Sequence, residues 1–134
     1  MRDEHGQEIS ARVNLSKFVD YMRAPTAGIE AIVQERERQF TTEDYDEEHD
    51  DQYINSELAV AASCYALNDR DEDPHPFWPW DSDSWKPGLD ADAWAEVREN
   101  GNLVEYVEGR QRELAKAGAL IAAEIDRLQR LKNG

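Results

Sequence analysis

The stretch Leu114–Leu131, LAKAGALIAAEIDRLQRL, decides the fold. At about 100° per residue, Ala117, Ile121, Leu128 and Leu131 gather on one side of a helix, and Glu124 projects among them. Asp126, two residues on, points towards water. A carboxylate on a packing face is costly to bury unless a cation, a metal or a proton compensates it. Glu124 is therefore a candidate functional group, and the stretch predicts a helix that packs against other helices.

Working outward, the partners for such a helix are easily found. Residues 1–12 are polar and are expected to be loose, leaving 13–134 as a single helical domain. Asn14 to Met22 predicts a short helix with Leu15, Phe18, Val19 and Met22 on one face, ending before Pro25. Thr26 is suited to cap a helix in which Ile29, Ile32, Val33 and Phe40 form the apolar side. Arg36 falls among them, a charge opposite in sign to Glu124. TTEDYDEEHDD (Thr41–Asp51) reads as an acidic loop. A second strong helix is expected from Gln52 to Leu67, with Ile54, Leu58, Ala61, Ala62 and Tyr65 as its stripe and Glu57 at the edge.

Between Asn68 and Asp90 lie four prolines and three of the four tryptophans. The prolines forbid a regular helix. Trp78, Trp80 and Trp85 argue against disorder and for an irregular loop pinned across the helices. Asp90 or Asp92 caps a short helix containing Trp94 and Val97, broken at Asn100–Gly101, before the last helix opens near Asn102. No strand pattern is visible. The expectation is all-α: a compact bundle of four to five helices with a long Pro/Trp-rich loop.

Composition narrows the function. The chain has 134 residues and a formal net charge of −15, which argues against direct binding to nucleic-acid phosphates. It suits a protein that binds metal ions or a basic partner, or one kept soluble by its charge. No apolar run approaches the length of a membrane span. The opening MRDEHGQEIS lacks a signal pattern, and the single Cys64 fits a reducing compartment, so a cytoplasmic location is expected. Cys64, set among alanines, reads as a small buried core thiol.

Three constellations could carry chemistry. In the first, Glu47, Glu48, His49, Asp50 and Asp51 precede Glu57; with Glu124 from another helix, such carboxylates suit magnesium, an oxygen-seeking cation. Here Asp50, Asp51, Glu57 and Glu124 would hold the metal. The alternative is a solvated acidic run favoured by a helix N-terminus. In the second, Arg36 with Gln39 either neutralises Glu124 or Glu57 or meets a phosphate, with Lys116 as a further cation at a cleft edge. In the third, Trp78 and Trp80 cover a base while Lys86 stands near a phosphate, or the tryptophans simply plug a small core. His5, His49 and His75 are too scattered for a zinc pattern, and no phosphate-loop, dinucleotide or nucleophile-elbow motif is present.

The ordered blocks ERERQ (Glu35–Gln39), EHDDQY (Glu48–Tyr53), ELAVAASCYA (Glu57–Ala66), WPWD (Trp78–Asp81), WKP (Trp85–Pro87) and KAGALIAAEIDRL (Lys116–Leu128) resemble a group of small bacteriophage and prophage proteins. The resemblance spans Ile32 to Leu131 and implies a phage protein acting in a bacterial host cytoplasm. Ser56 stands where that group usually has glycine, and the segment from Gly88 to Arg112 is longer than usual. The literal EExxD (Glu47, Glu48, Asp51) and the acidic helices more distantly resemble the MazG-type all-α nucleoside triphosphate pyrophosphatases. That likeness implies magnesium held by carboxylates of two helices and hydrolysis between the α- and β-phosphates. The usual EExxE and later ExxD of those enzymes are not reproduced.

The leading expectation is a small acidic protein that binds a nucleotide or related phosphate compound, with magnesium-dependent pyrophosphohydrolysis as its enzymatic form. The ligand would meet Arg36, Gln39, His49, Trp78, Trp80, Lys86 and Lys116. The alternatives are a non-enzymatic inhibitor that offers its acids to a basic host defence or nucleic-acid-processing protein, and a nucleotide sponge without turnover. A homodimer through the alanine-rich faces fits the pattern as well as a monomer does.

Overall fold

The computed structural model describes residues 14–20, 26–68 and 73–134 and is all-α, with no strand among them. The loose segment expected at 1–12, the end of the first helix at Met22 and the stop at Pro25 lie outside these residues. Residues 14–20 form helix α1, followed by α2 (Ala27–Thr41), α3 (Glu47–Asp51), α4 (Glu57–Leu67), α5 (Ala91–Glu99) and α6 (Leu103–Asn133). The chain divides into two compact units, Met1–Glu30 and Ala31–Gly134. In the first, the Thr26 hydroxyl accepts from Ile29 N at 3.4 Å and opens α2, as its sequence position suggests. No helix among the described residues is long and apolar enough to cross a membrane.

In the second unit the core is the contact of α4 with α6. Leu58, Ala61, Ala62 and Tyr65 meet Ala117, Leu120 and Ala123, with Tyr53, Trp78, Trp80 and Trp85 packed around them. Small side chains let the two helices approach closely, and the tryptophans supply the bulk that the alanines lack. This placement corrects the stripe read from α6. Ala117 and Glu124 are buried, but Ile121, Leu128 and Leu131 are at least half exposed. The buried face instead runs through Arg110, Glu113, Ala117, Leu120, Glu124 and Arg127. The helix rotates to bring its small residues to α4, and large aliphatics are left outside. α2 differs similarly: Val33 and Phe40 are exposed, while Gln39 is buried.

Two boundaries also differ from expectation. EEHDD is helical because the Asp46 side chain accepts from His49 N at 2.9 Å, capping a turn whose acids favour a helix start. The following helix begins at Glu57 rather than Gln52, because Ser56 adopts φ 62°, in the left-handed region that interrupts a right-handed helix. Asp90 caps α5, accepting from Ala93 N at 2.8 Å. Gly101, at φ 73°, turns the chain into α6.

A buried polar network fixes the Pro/Trp-rich loop to this frame. Glu113, 1% exposed, accepts from Asn68 Nδ2 at 2.7 Å, Gly88 N at 3.1 Å and Arg110 Nη1 at 2.9 Å. Arg110 also donates to the carbonyls of Tyr65 and Ala66, covering the open C-terminal end of α4. Beside it, the buried Trp94 of α5 lies over Gly109, where an added Cβ would stand 2.0 Å from the ring. Only glycine permits that approach. Cys64 is buried with its thiol against the Pro74 carbonyl, and burial raises its pKa.

Candidate functional site

The cap on α3 determines what its single turn presents. With Asp46 holding His49 N, His49 and Asp50 turn in towards α2 and α6. Asp50 is 1% exposed, and its carboxylate is compensated from two sides. His49 Nδ1 lies 2.9 Å from Oδ1, and Arg36 Nη2 lies 3.3 Å from Oδ2. Arg36 also stands 3.7 Å from the exposed Asp126. The arginine expected to neutralise Glu124 or Glu57 thus serves Asp50. Glu124 is met from its own helix, by Arg127 Nε at 2.5 Å one turn on.

From His49 a continuous run of aromatic rings leads away. Its imidazole stacks on Tyr45 with centroids 4.3 Å apart and meets Tyr53 edge-on at 5.2 Å. Tyr53 touches Trp80 at 4.9 Å, Trp80 touches Trp78 at 5.2 Å, and Trp78 reaches Trp85 and Tyr65. Burial raises the phenol pKa of Tyr45 and Tyr53, and pushes that of Tyr65 up to about 12.

Two adjoining chambers open along this run. The larger, about 610 Å³, has Tyr45, His49, Asp50, Tyr53 and Trp80 on its walls and Leu58, Leu120 and Ala123 among its apolar lining. The second, about 370 Å³, adds Arg38, Lys86, Lys116, Tyr65 and Trp78. Gln39, Tyr45, Trp80, Asp81, Ser84 and Leu120 line both. Volumes of this size are those of small-molecule sites. In the second chamber Arg38 is tied to Glu35 and Glu43, each at 2.8 Å, which holds its guanidinium charged. Lys116 donates to the Lys86 carbonyl at 3.1 Å and sits 5.4 Å over the Tyr65 ring. Burial lowers its pKa.

The residues expected to bind a ligand are largely brought together. Gln39, His49 and Trp80 line the larger chamber, and Gln39, Trp78, Trp80, Lys86 and Lys116 the smaller. Arg36 stands behind Asp50. The four carboxylates expected to hold magnesium each have a different partner. Asp50 has Arg36 and His49; Asp51 has Arg130 at 2.7 Å; Glu57 accepts from Asn55 N at 2.5 Å; Glu124 has Arg127. Among the described residues no group of three or more histidine, cysteine or acidic side chains is placed to hold a metal ion. Sequence reasoning missed Tyr45 and Tyr53, although Tyr45, His49 and Tyr53 recur at intervals of four, a spacing that stacks side chains on one face.

No family model, no curated protein and no solved structure matches the chain.

Proposed function

We propose that this protein binds a phosphorylated nitrogen heterocycle of the nucleotide class, with its ring in the larger chamber and its phosphate in the smaller. The observation that carries the reading is the junction of the two chambers along one wall. An aromatic room of about 610 Å³ adjoins one containing three basic side chains, Arg38, Lys86 and Lys116. Tyr53 and Trp80 offer faces on which a planar ring can stack.

The charge balance narrows the ligand. Arg38, Lys86 and Lys116 share the smaller chamber with Glu35, Glu43, Asp81 and Asp83. With four acids against three bases, a triphosphate is disfavoured relative to a monophosphate or a cyclic phosphate. The carboxylates that would recruit magnesium are each engaged by another group, which supports binding without turnover over pyrophosphohydrolysis. In this reading the protein is a nucleotide sponge.

The test is titration with nucleoside mono-, di- and triphosphates, with and without magnesium, following tryptophan fluorescence, with the ligand recovered afterwards. Quenching by a monophosphate, its loss in Trp80→Ala and recovery of unaltered ligand are expected. Conversion of ligand to a shortened phosphate would establish the hydrolase instead, and no response to any of the panel would overturn the proposal. A second reading, inhibition of a basic host protein, draws on the exposed acids Glu43, Asp44, Asp46, Glu47 and Glu48. It predicts a salt-sensitive complex indifferent to Trp80→Ala.

A further inference from the structure

Two polar side chains on the wall of the larger chamber have their hydrogen-bonding roles fixed by partners behind them. Gln39, on α2, is 4% exposed and lines both chambers. Its Nε2 donates to Glu35 Oε1 at 3.2 Å. A carboxylate only accepts, so this bond settles which way the amide is turned. Arg38 holds the same carboxylate at 2.9 and 2.8 Å, and a flipped amide would set oxygen against oxygen. Among the described residues no donor meets the Gln39 Oε1. It is an acceptor left for the chamber.

His49 is fixed in the same way. Its Nδ1 lies 2.9 Å from Asp50 Oδ1, and Asp50 carries Arg36 at 3.3 Å on its other oxygen. Because the carboxylate accepts, Nδ1 holds the proton and the neutral imidazole presents Nε2 as an acceptor. The Tyr53 hydroxyl stands 3.5 Å from Nε2, too far to satisfy it well. The imidazole lies flat on Tyr45 with centroids 4.3 Å apart. The Tyr45 backbone N in turn donates to the Gln39 carbonyl at 2.9 Å, which ties the two acceptors to one short segment.

Two fixed acceptors select the edge that meets them. The pairing edge of adenine sets one donor beside one acceptor. Cytosine offers one donor and two acceptors, and uracil holds one donor between two acceptors. Among the common bases guanine sets two donors side by side, N1–H and the 2-amino group. We infer that the ring in the larger chamber is guanine, its N1–H and 2-amino group donating to the Gln39 Oε1 and the His49 Nε2. This rests on the nucleotide reading above and names the base. Selectivity comes from the cost of an acceptor buried without a donor.

Isothermal titration calorimetry of the full chain tests it, with the monophosphates of guanosine, inosine, adenosine, uridine and N1-methylguanosine. Inosine keeps N1–H and lacks the 2-amino group; the methylated compound keeps the amino group and lacks N1–H. Guanosine monophosphate should bind at least about tenfold more tightly than each of the others. Gln39→Met and His49→Phe should each weaken it about tenfold. Circular dichroism reports whether these variants fold, and the ligand series on the native chain stands without them. Affinities within about threefold of one another, or a preference for adenosine monophosphate, would overturn the inference and leave nucleotide binding intact. Binding of none of the five would remove the nucleotide reading, and the inference with it.

Discussion

Replacing Glu113 by glutamine should unsettle this protein more than any change to its exposed acids. The substitution keeps volume and shape but alters two things. One carboxylate oxygen accepts from both Asn68 and Gly88, and the other accepts from Arg110. A glutamine amide has one acceptor oxygen, so whichever way it is turned its NH₂ faces a donor. The charge is lost as well, and the ion pair between Glu113 and Arg110, 8% exposed, is broken. Losing a charge-assisted hydrogen bond costs about 1.5–3 kcal/mol, and breaking a buried ion pair from one side about 3–5 kcal/mol. Arg110 keeps the Tyr65 and Ala66 carbonyls, so the lower end applies: about 3 kcal/mol, or roughly 10 °C in Tm. Urea unfolding followed by circular dichroism and by tryptophan fluorescence measures it, with the exposed Glu108→Gln as control. Joint replacement, Glu113→Leu with Arg110→Met, should lose less than the two single changes summed, because each single change breaks the same buried ion pair. A Glu113→Gln loss no larger than that of the control would refute the reasoning.

Three further outcomes follow from local geometry. Gly109→Ala drives a Cβ to 2.0 Å from the buried Trp94 ring; overpacking of about 3 kcal/mol outweighs the gain of about 1 kcal/mol in helix propensity. Gly118→Ala places a Cβ 2.6 Å from both Cγ1 and Cδ1 of the β-branched Ile32, so that side chain must shift; a loss of about 1 kcal/mol is expected, smaller than at Gly109, a contrast that thermal unfolding can read. Ser56→Gly relieves a left-handed residue at φ 62° and should stabilise by about 0.5–1 kcal/mol after the unfolded-state entropy of glycine is counted; a lowered urea midpoint would contradict it. Tyr65 ionises near 10 when unfolded and is pushed up to about 12 by burial. The folded state then holds the extra proton, so stability falls as pH rises from about 10 to 12, and Tyr65→Phe should flatten that decline.

The helices were legible because their signals are local. Thr26 and Asp90 announce caps, Asn100–Gly101 announces a break, and the clustered prolines and tryptophans announce a structured loop. What escaped is what depends on helix rotation. Ile121, Leu128 and Leu131 read as packing residues, and nothing in the local pattern marked Glu113 or Arg127 as buried. Hydrophobicity alone cannot tell that α4 offers a face of alanines, against which small residues fit better than isoleucine. The short α3 escaped because EEHDD, four acids and a histidine, lacks any apolar period. Its formation rests on Asp46, and on the pairing of Asp50 with a distant Arg36 that sequence spacing does not reveal.

The same rotation bears on how site and surface relate. Turning α6 so that Ala117, Leu120 and Ala123 face α4 places Leu120 and Ala123 in the lining of the larger chamber. It leaves Ile121, Ile125 and Leu128 outside the α4 contact. Ile125→Glu should then leave nucleotide quenching intact, which the fluorescence titration reads. Glu124, at 9% exposed, lines neither chamber. Its pairing with Arg127 lets α6 bury a charged turn beside its alanines, so the carboxylate that marked this helix in the sequence is explained by packing.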